Sequence, residues 1–279
     1  MFIFIPRASV SAERIADILE TKPIIVDPKN PLKMLDEKKG YVEFNDVSFK
    51  YDGAEEYALH NISFTAKPGQ TTAFIGSTGS GKTTLANLIL RFYDTTEGEI
   101  KVGGVNVKSV TQNELRKHIG YVPQKSVLMS GTVESNINYG NEKATHADVE
   151  KAATIAQAKD FIVEKAEAWD SEISQGGSNV SGGQRQRLSI ARALAVNPDI
   201  FIFDDSFSAL DFKTDAALRA ALSQQTNNAT VIIIAQRVST IINANCIYVL
   251  DTDAEILAGK DVKNMQIISY AEFADICLT

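Results

Sequence analysis

The sequence predicts an α/β fold with a mainly parallel sheet, an N-terminal antiparallel β subdomain and an inserted helical subdomain. A glycine-rich loop lies between a strand-like run and a helix-like run. Later apolar runs are continuous and end in polar residues, which is typical of parallel strands covered on both faces. Before the loop, aromatic and β-branched residues alternate with polar ones, which is typical of antiparallel strands.

The first 40 residues are predicted to precede the folded domain. Residues 1–5 are apolar and uncharged, but the run is too short for a signal peptide with a basic start and a cleavage site. Apolar residues at helical spacing predict an amphipathic helix over 9–21. Prolines and interleaved charges predict an extended linker over 24–40, so the folded domain is expected to begin at Tyr41.

The folded domain is expected to start with antiparallel strands around a loop at 52–57. The elements predicted for its first half are strands at 41–44, 47–49, 62–65 and 71–75, a helix at 85–92, a strand pair at 98–107, a helix at 111–117 and a strand at 119–122.

Residues 125–180 differ from their surroundings because apolar residues are fewer and alanines more frequent. We interpret this region as a helical subdomain inserted between core strands. The elements predicted from here onward are helices at 146–158, 160–168, 185–195, 213–223 and 237–242, core strands at 200–203 and 231–234, a closing hairpin at 247–250 and 255–258, and a C-terminal tail at 259–279.

Composition and charge argue against several classes of protein. Lys and Arg number 28 against 35 Asp and Glu, a net charge of -7, so there is no global basic field and no nucleic-acid partner is predicted. Cys246 and Cys277 are isolated, which is typical of thiols in a reducing compartment rather than of a disulfide or metal site. No run approaches the ~20 apolar residues that a membrane-spanning helix requires.

The glycine-rich loop matches the GxxxxGK[ST] pattern of a phosphate-binding loop. Glycines let backbone N–H groups converge on anionic oxygens, and the helix N-terminus adds partial positive charge. Lys82 is expected to reach the β and γ phosphates, and Thr83 to offer a hydroxyl to Mg²⁺. The pattern therefore predicts that ATP or GTP is bound with Mg²⁺ by Gly76, Ser77, Thr78, Gly79, Ser80, Gly81, Lys82, Thr83 and Thr84.

Polar residues directly follow the apolar runs of two predicted core strands, namely Asp204, Asp205 and Gln236. Ligands bind at the carboxyl ends of parallel strands, so these side chains are expected near the nucleotide. Asp204 suits Mg²⁺, which prefers oxygen ligands and keeps much of its water. A second glycine-marked helix start at 181–184, with Ser181 as N-cap, offers another anion site, although such a start is usually only structural.

Together these motifs resemble the ATP-binding cassette (ABC) family, in the family's order, from Tyr41 to about Ala258. The resemblance implies a phosphate-loop core of RecA type that binds and hydrolyses ATP with Mg²⁺. Tyr51 stands where the family stacks an aromatic ring on adenine, and Gln124 stands where a glutamine touches Mg²⁺ and the attacking water. Asp211 lies in the segment that resembles the loop crossing the dimer interface.

The resemblance also implies that each ATP lies between the phosphate loop of one cassette and the signature of a second cassette. The signature is matched by Ser181, Gly182, Gly183 and Gln184, with Val180 in place of the usual leucine. Residues 5–15 resemble the join between the last membrane helix and the cassette in bacterial multidrug-type exporters. This implies a cassette separated from its membrane domain, working at the cytoplasmic face of the plasma membrane, or soluble if expressed as this fragment.

Two positions depart from the family pattern, because Asp205 replaces the general-base glutamate and Gln236 the switch histidine. Aspartate is shorter by one methylene, about 1.5 Å of reach, and a misplacement of about 1 Å can cost on the order of a hundredfold in rate. Gln236 can hydrogen-bond a γ-phosphate but lacks the protonation states of imidazole. The pairing resembles the slow, degenerate site of heterodimeric bacterial exporters, although the sequence leaves open that Asp205 works slowly.

Three functions are consistent with a phosphate loop. The first is the nucleotide-binding domain of an exporter half that acts with a different partner cassette. The second is a soluble ABC-type ATP switch acting on nucleic acid or the ribosome, which the acidic charge and the absence of a second cassette argue against. The third is a P-loop kinase, which would not explain the signature.

Overall fold

The computed structural model describes residues 4–141, 143–250 and 265–268. Helix α1 (Phe4–Glu20) comes first and begins earlier than the predicted 9–21. Its residues Ile15, Ile18 and Leu19 are exposed, Leu19 to 79%. Within the described residues, no helix combines the length and the apolar character needed to cross a membrane.

The linker after α1 lies against the folded body, which the proline pattern did not predict. The backbone N–H of Leu32 donates to the carbonyl of Ser109 at 2.8 Å, and that of Leu35 to Gly103 at 2.9 Å. The buried Arg91 donates from its guanidinium to the carbonyl of Val26 at 3.1 Å. These contacts hold the linker in one course along the body.

An antiparallel sheet forms the N-terminal part, in the order β2-β1-β4-β5. Strand β1 is continuous where the sequence predicted two strands, because register shifts after Phe44 and a left-handed Asp46 (φ +47°) make a bulge rather than a break. The four strands are β1 (Val42–Phe49), β2 (Leu59–Ala66), β4 (Glu97–Val102) and β5 (Val105–Asn106).

The central sheet has the order β12-β11-β3-β10-β9-β6. Each pair of adjacent strands is parallel except the pair of β11 and β12, which is antiparallel. This mixed α/β architecture confirms the predicted fold class. Because β3, β10 and β9 are adjacent, the segments that follow them meet at one edge. The strands are β3 (Thr71–Gly76), β6 (Ile119–Val122), β9 (Ile200–Asp204), β10 (Thr230–Ala235), β11 (Cys246–Leu250) and β12 (Met265–Ile268).

The sheet edge differs from the predicted closing hairpin. The predicted second strand at 255–258 lies outside the described residues. The strand that pairs antiparallel with β11 is β12, which lies in the segment predicted as a C-terminal tail. Pairing at a sheet edge depends on a distant strand, so local alternation alone did not identify it.

Local backbone geometry decides where several helices begin and end. Helix α2 begins at Lys82, three residues before the predicted start, because Gly81 has a left-handed φ of +86° at its N-cap. The predicted helix 146–158 is interrupted at Gln157, whose φ is +57°. The helices after α1 are α2 (Lys82–Ile89), α3 (Gln112–Lys117), α4 (Val133–Ile137), α5 (His146–Ile155), α6 (Lys159–Val163), α7 (Gly182–Ala195), α8 (Phe212–Gln225) and α9 (Val238–Ile241).

The two faces of the central sheet pack against different layers. Ile200 and Ile202 of β9 join the cluster that includes the antiparallel sheet and α2. Phe201 and Phe203 join the cluster that includes the helical subdomain, α7 and α8. A strand buried on both faces accounts for the continuous apolar run in the sequence. The inserted subdomain also contains a two-stranded pair, β7 (Gly131–Thr132) with β8 (Glu172–Ile173).

Candidate functional site

The loop between β3 and α2 requires glycine at positions where the chain passes close to itself. A Cβ at Gly76 would collide with the carbonyl oxygen of Leu250 and lie 2.7 Å from Oγ of Ser80. A Cβ at Gly81 would lie 2.5 Å from the carbonyl oxygen of Ala58, and its left-handed φ is one that side chains disfavour. The glycines of the motif are therefore needed for the fold of the loop itself.

Lys82 is enclosed by this loop and is only 7% exposed. Its ammonium donates to the carbonyl oxygens of Gly76 at 2.8 Å and Ser77 at 2.5 Å, and to Oγ of Ser80 at 3.0 Å. Burial lowers the pKa of Lys82, and the nearby carboxylate of Asp204 opposes that shift. The first helical turn thus holds a cation at the centre of a ring of oxygens.

Asp204 ends β9 beside the start of α2 and is 2% exposed. Thr83 donates from Oγ1 to its Oδ1 at 3.2 Å, and the hydroxyl of Tyr121 donates to its Oδ2 at 3.5 Å. Burial raises the pKa of Asp204, hydrogen bonding to Thr83 opposes this, and the negative charge of Asp205 raises it further. Tyr121, which the sequence did not single out, precedes Gln124 by three residues, and burial raises its pKa.

This set of groups fits a magnesium ion better than a transition metal. The hydroxyl of Thr83 and the carboxylate of Asp204 are adjacent oxygens, and Mg²⁺ prefers a few oxygen ligands completed by water and phosphate. Within the described part of the chain, no group of three or more His, Cys, Asp and Glu side chains is able to hold a metal ion. A divalent cation bound here would take its further ligands from water and bound phosphate.

Asp205 has a left-handed φ of +45° and is partly exposed. Its Oδ2 accepts a hydrogen bond of 3.3 Å from Nε2 of Gln124. Its backbone N–H donates to the carbonyl of Ile234 at 2.8 Å, and its carbonyl accepts from Oγ of Ser208 at 2.9 Å. The backbone on both sides of this position is thus fixed by hydrogen bonds, while the carboxylate contacts a residue from another loop.

Gln236 directly follows β10 and is exposed. The sheet register pairs Ile234 with Asp204 and Ala235 with Ile75. Gln236 therefore lies at the edge where β9 ends and the glycine-rich loop begins. The structure brings Lys82, Thr83, Asp204, Asp205 and Gln124 together and puts Gln236 at the same edge, while the roles assigned to them stay predictions.

Tyr51 is held in place by contacts that the sequence did not reveal. Its hydroxyl shares a hydrogen bond of 2.9 Å with Oγ1 of Thr84, in the first turn of α2. Its ring meets Phe49 edge-on at 4.8 Å between centroids, and Tyr93 edge-on at 5.2 Å. Tyr51 is thereby oriented beside the phosphate-loop helix.

The segment 181–184 opens α7 with a capping box. Oγ of Ser181 accepts from the backbone N–H of Gln184 at 3.2 Å, and Oε1 of Gln184 accepts from the backbone N–H of Ser181 at 3.0 Å. A Cβ at Gly182 would meet nothing within 4 Å, so this start is open. A Cβ at Gly183 would lie 3.5 Å from the carbonyl oxygen of Ala209.

Asp211 is exposed and caps α8. Its Oδ1 accepts from the backbone N–H of Thr214 at 3.0 Å. Hydrogen bonding to Thr214 lowers the pKa of Asp211. The carboxylate therefore has a local structural role, and the predicted position in a dimer interface stays a prediction.

A family model described as ABC transporter matches residues 59–208. The chain is also 32% identical to a solved structure described as a bacterial Atm1-family ABC exporter with ATP bound, with a TM-score of 0.85. The match covers 99% of this chain and 48% of that one. The residues 59–208 include the phosphate loop, Gln124, the segment 181–184, Asp204 and Asp205.

Curated relatives give the same result over nearly the whole chain. An uncharacterized ABC transporter ATP-binding protein of Mycobacterium tuberculosis is 43% identical over 274 residues, which is 97% of this chain and 47% of the relative. An ATP-dependent lipid A-core flippase of Saccharophagus degradans is 39% identical over 256 residues, which is 92% of this chain and 43% of the flippase. ATP-binding cassette sub-family B member 6 of Mus musculus is 39% identical over 253 residues, covering 90% of this chain and 30% of its own length. The chain spans less than half the length of these relatives.

Proposed function

The chain belongs to the ABC transporter family, and on that premise we propose that it binds and hydrolyses ATP as the nucleotide-binding domain of an exporter. The cassette would extend over 41–258, with a helical subdomain over about 125–180. Hydrolysis would power efflux across a membrane, with the chain at its cytoplasmic face.

The observation that carries this proposal is the arrangement of Lys82, Thr83 and Asp204. Lys82 lies inside the phosphate loop with three oxygen acceptors that phosphate oxygens could replace. Oγ1 of Thr83 and Oδ1 of Asp204 lie 3.2 Å apart. Two residues that bind one Mg²⁺ ion, directly or through water, would place their oxygens close together in this way. Bound Mg²⁺ would neutralise charge on the β and γ phosphates.

The remaining residues around the γ-phosphate support a slow site. Asp205 occupies the family's general-base position with a shorter side chain than glutamate, and Gln236 occupies the position of the switch histidine. Gln124 donates to Oδ2 of Asp205 at 3.3 Å, so a water approaching that oxygen would compete with Gln124 for the base. We therefore expect ATP to stay bound at this site for a long time before it is hydrolysed.

A second cassette of a different subunit would complete the assembly. The start of α7 is exposed and open at Gly182, which leaves room for an anion from outside the chain. Its free backbone N–H groups and the helix dipole would bind the γ-phosphate of ATP held by the partner. The chain would thus contribute its phosphate loop to a slow site and 181–184 to a faster one.

The N-terminal segment supports a link to a membrane domain. Ile15, Ile18 and Leu19 are exposed on α1, and the linker that follows is hydrogen-bonded to the cassette. A docked linker would transmit movement of the cassette to whatever α1 contacts. Residues 1–40 are proposed as the end of the last membrane helix and its linker.

The proposal is tested with the full chain and a cassette that carries the usual glutamate and histidine. Binding of a fluorescent ATP analogue to the chain, and ATPase activity of each protein alone and mixed, are the measurements. We expect binding by the chain alone, low activity alone and higher activity in the mixture. The proposal is wrong if the chain neither binds ATP nor raises the activity of the mixture, or if Lys82→Ala binds ATP as well as the parent does.

A further inference from the structure

A cavity of about 650 Å³ lies between α8 and α9, on the side of the central sheet opposite α2. Its volume is within the range of about 300–1,000 Å³ that small-molecule sites occupy. The rim of this α8–α9 cavity includes Phe212, which is 87% exposed. The floor is apolar and consists of Phe203, Phe207, Leu222, Val231 and Ile233.

Arg219 of α8 lines the cavity and reaches across to α9. Its Nε donates to Oδ1 of Asp215 at 2.7 Å, and its Nη1 donates to the carbonyl oxygen of Thr240. The guanidinium stacks over the ring of Phe207 at 4.7 Å. Its Nη2 is buried and has no hydrogen-bond partner within the described residues. A buried N–H of a charged group without an acceptor is destabilising, so an acceptor brought to Nη2 would be bound favourably.

Arg237 is a second arginine on the wall of the cavity and follows β10 by two residues. It is exposed, and its guanidinium makes no hydrogen bond or ion pair in the part of the chain that the structure describes. A guanidinium carries five N–H donors and no acceptor. Arg219 and Arg237 therefore bring donors without acceptors to the same cavity.

The two aspartates on the wall do not remove this surplus of donors. Asp215 forms an ion pair with Arg219 at 2.7 Å, and Oδ2 of Asp205 accepts from Gln124 at 3.3 Å. Each carboxylate thus has a donor, whereas Nη2 of Arg219 and the guanidinium of Arg237 have no acceptor. An acidic group beside an apolar floor is the chemistry that would complete the cavity.

We propose that the α8–α9 cavity binds an amphipathic small-molecule anion, with its apolar body on the floor and its acidic group paired with Arg237 and Arg219. Hydrogen bonds between guanidinium and an anion are charge-assisted and strong. Arg237 is exposed and binds the acid directly, whereas Nη2 of Arg219 meets it after a small rotation into the cavity. The bound molecule contacts Phe207, two residues after Asp205, although its binding does not depend on the proposed function.

Fluorescence titration of the full chain without nucleotide tests the charge. The probe is anilinonaphthalene sulfonate, and N-phenylnaphthylamine, which has the same rings without the sulfonate, is the neutral comparison. Arg237→Gln should weaken binding of the sulfonate about tenfold, because charge-assisted hydrogen bonds are lost, and should leave the neutral probe unchanged. Arg14→Gln, at an exposed arginine of α1, is the matched control. The proposal is overturned if Arg237→Gln has no effect or if both variants have the same effect.

A pair of neighbouring substitutions on α8 tests the location. Ala216 lines the cavity and Ala217 does not, and both are exposed, so both variants should fold. Ala216→Phe should fill part of the cavity and weaken binding of both probes, whereas Ala217→Phe should bind them as the parent does. Equal binding by the two variants would place the probe elsewhere and overturn the proposal.

Displacement of the bound sulfonate by decanoate or by naphthoate shows whether the cavity takes an acyl or an aromatic body. Displacement by either acid supports the proposal, and displacement by neither overturns it. Probe binding that falls as light scattering shows the chain dimerising would mean that a second copy covers the cavity, which also overturns it.

The proposed function and this inference fail in different ways. Lys82 does not line the cavity, so Lys82→Ala should bind the sulfonate as the parent does. Loss of probe binding in Lys82→Ala would place the probe in the phosphate loop and overturn the inference alone. Absence of ATP binding by the parent would contradict the proposed function and leave the probe titrations unchanged.

Discussion

The side-chain amide of Gln124 donates a hydrogen bond of 3.3 Å to the carboxylate of Asp205. The two residues are 81 positions apart and lie after neighbouring parallel strands, β6 and β9. Asp205 holds a left-handed φ of +45°, with its backbone N–H bonded to Ile234. One oxygen of the carboxylate proposed to activate water is therefore hydrogen-bonded to a second loop.

Restoring the family's usual residues at both departing positions should speed ATP hydrolysis. In the chain mixed with a competent cassette, Asp205→Glu with Gln236→His is expected to raise the turnover of this site by about a hundredfold, because the carboxylate regains its reach. The measurement is steady-state phosphate release. Asp205→Asn with Gln236→His is the control and should stay slow. An equal rate in the parent and in the restored variant would mean that these positions do not limit hydrolysis.

Removing the enclosed ammonium should weaken nucleotide binding. Lys82→Ala deletes charge-assisted hydrogen bonds worth about 1.5–3 kcal/mol, so ATP affinity should fall roughly tenfold to hundredfold. Titration with a fluorescent ATP analogue measures it. Lys101→Ala is the matched control, since Lys101 forms an ion pair with Glu99 in the antiparallel sheet. Equal affinities of the two variants would contradict the assignment of the loop.

Asp204 should stabilise bound Mg²⁺-ATP but lower the stability of the folded chain when no nucleotide is bound. Its pKa in the folded chain lies above the usual 3.8, so the folded state binds more protons than the unfolded state between those values. The folded chain favours the neutral form of the Asp204 carboxyl, so the free energy of unfolding falls as pH rises through the pKa that Asp204 has in the folded state. Asp204→Asn should therefore melt higher than the parent at pH 7 without nucleotide, and this difference should shrink in acid.

The same variant should lose much of the stabilisation that Mg²⁺-ATP gives the parent, because a neutral amide oxygen attracts a divalent cation less strongly than a carboxylate does. Thermal unfolding at several pH values, with and without Mg²⁺-ATP, measures both effects. A nucleotide-free Asp204→Asn that melts lower at pH 7, or that keeps the full Mg²⁺-dependent shift, would contradict this account.

Tyr51 should contribute through its ring and not through its hydroxyl. Tyr51→Ala is expected to weaken ATP binding by about 1–3 kcal/mol, the value of stacking a base on an aromatic ring. Tyr51→Phe keeps the ring but loses the bond to Thr84, so it should cost about 1 kcal/mol of unfolding free energy and leave ATP affinity nearly unchanged. Affinity and unfolding measured on both variants separate the roles. A similar loss of affinity in both would show that Tyr51 acts through Thr84.

Gly182→Ala should raise the stability of this chain and lower its ability to activate the partner cassette. A Cβ at Gly182 meets nothing within 4 Å in this chain, and alanine in a helix lowers the entropy of the unfolded state, so stability should rise by about 0.4–1 kcal/mol. In a mixture with a competent cassette, the added methyl would lie where the partner's phosphate is expected, and activity should fall. Two quantities are measured, the ATPase activity of the mixture and the melting temperature of the chain alone. Full activity with Gly182→Ala would argue against a nucleotide at this helix start.

The sequence predicted much of the fold because its signals are local. The glycine pattern at 76–84 works through backbone angles and helix geometry, which neighbouring residues control. The apolar run of β9 implied burial on both faces, and its residues divide between the two layers. By contrast, β12 was missed because its pairing with β11 arises between separated segments.

By itself the sequence determined the family and the α/β fold class, and it predicted the loop that would bind phosphate and the two departures at Asp205 and Gln236. Only the tertiary structure decided which side chains face one another: Thr83 with Asp204, Gln124 with Asp205, and Ser126 with Gln186. The physical reason is the separation in sequence between the residues that interact. Backbone conformation responds to the nearest residues, whereas these hydrogen bonds join positions 121, 81 and 60 residues apart and exist only after the parallel strands have assembled.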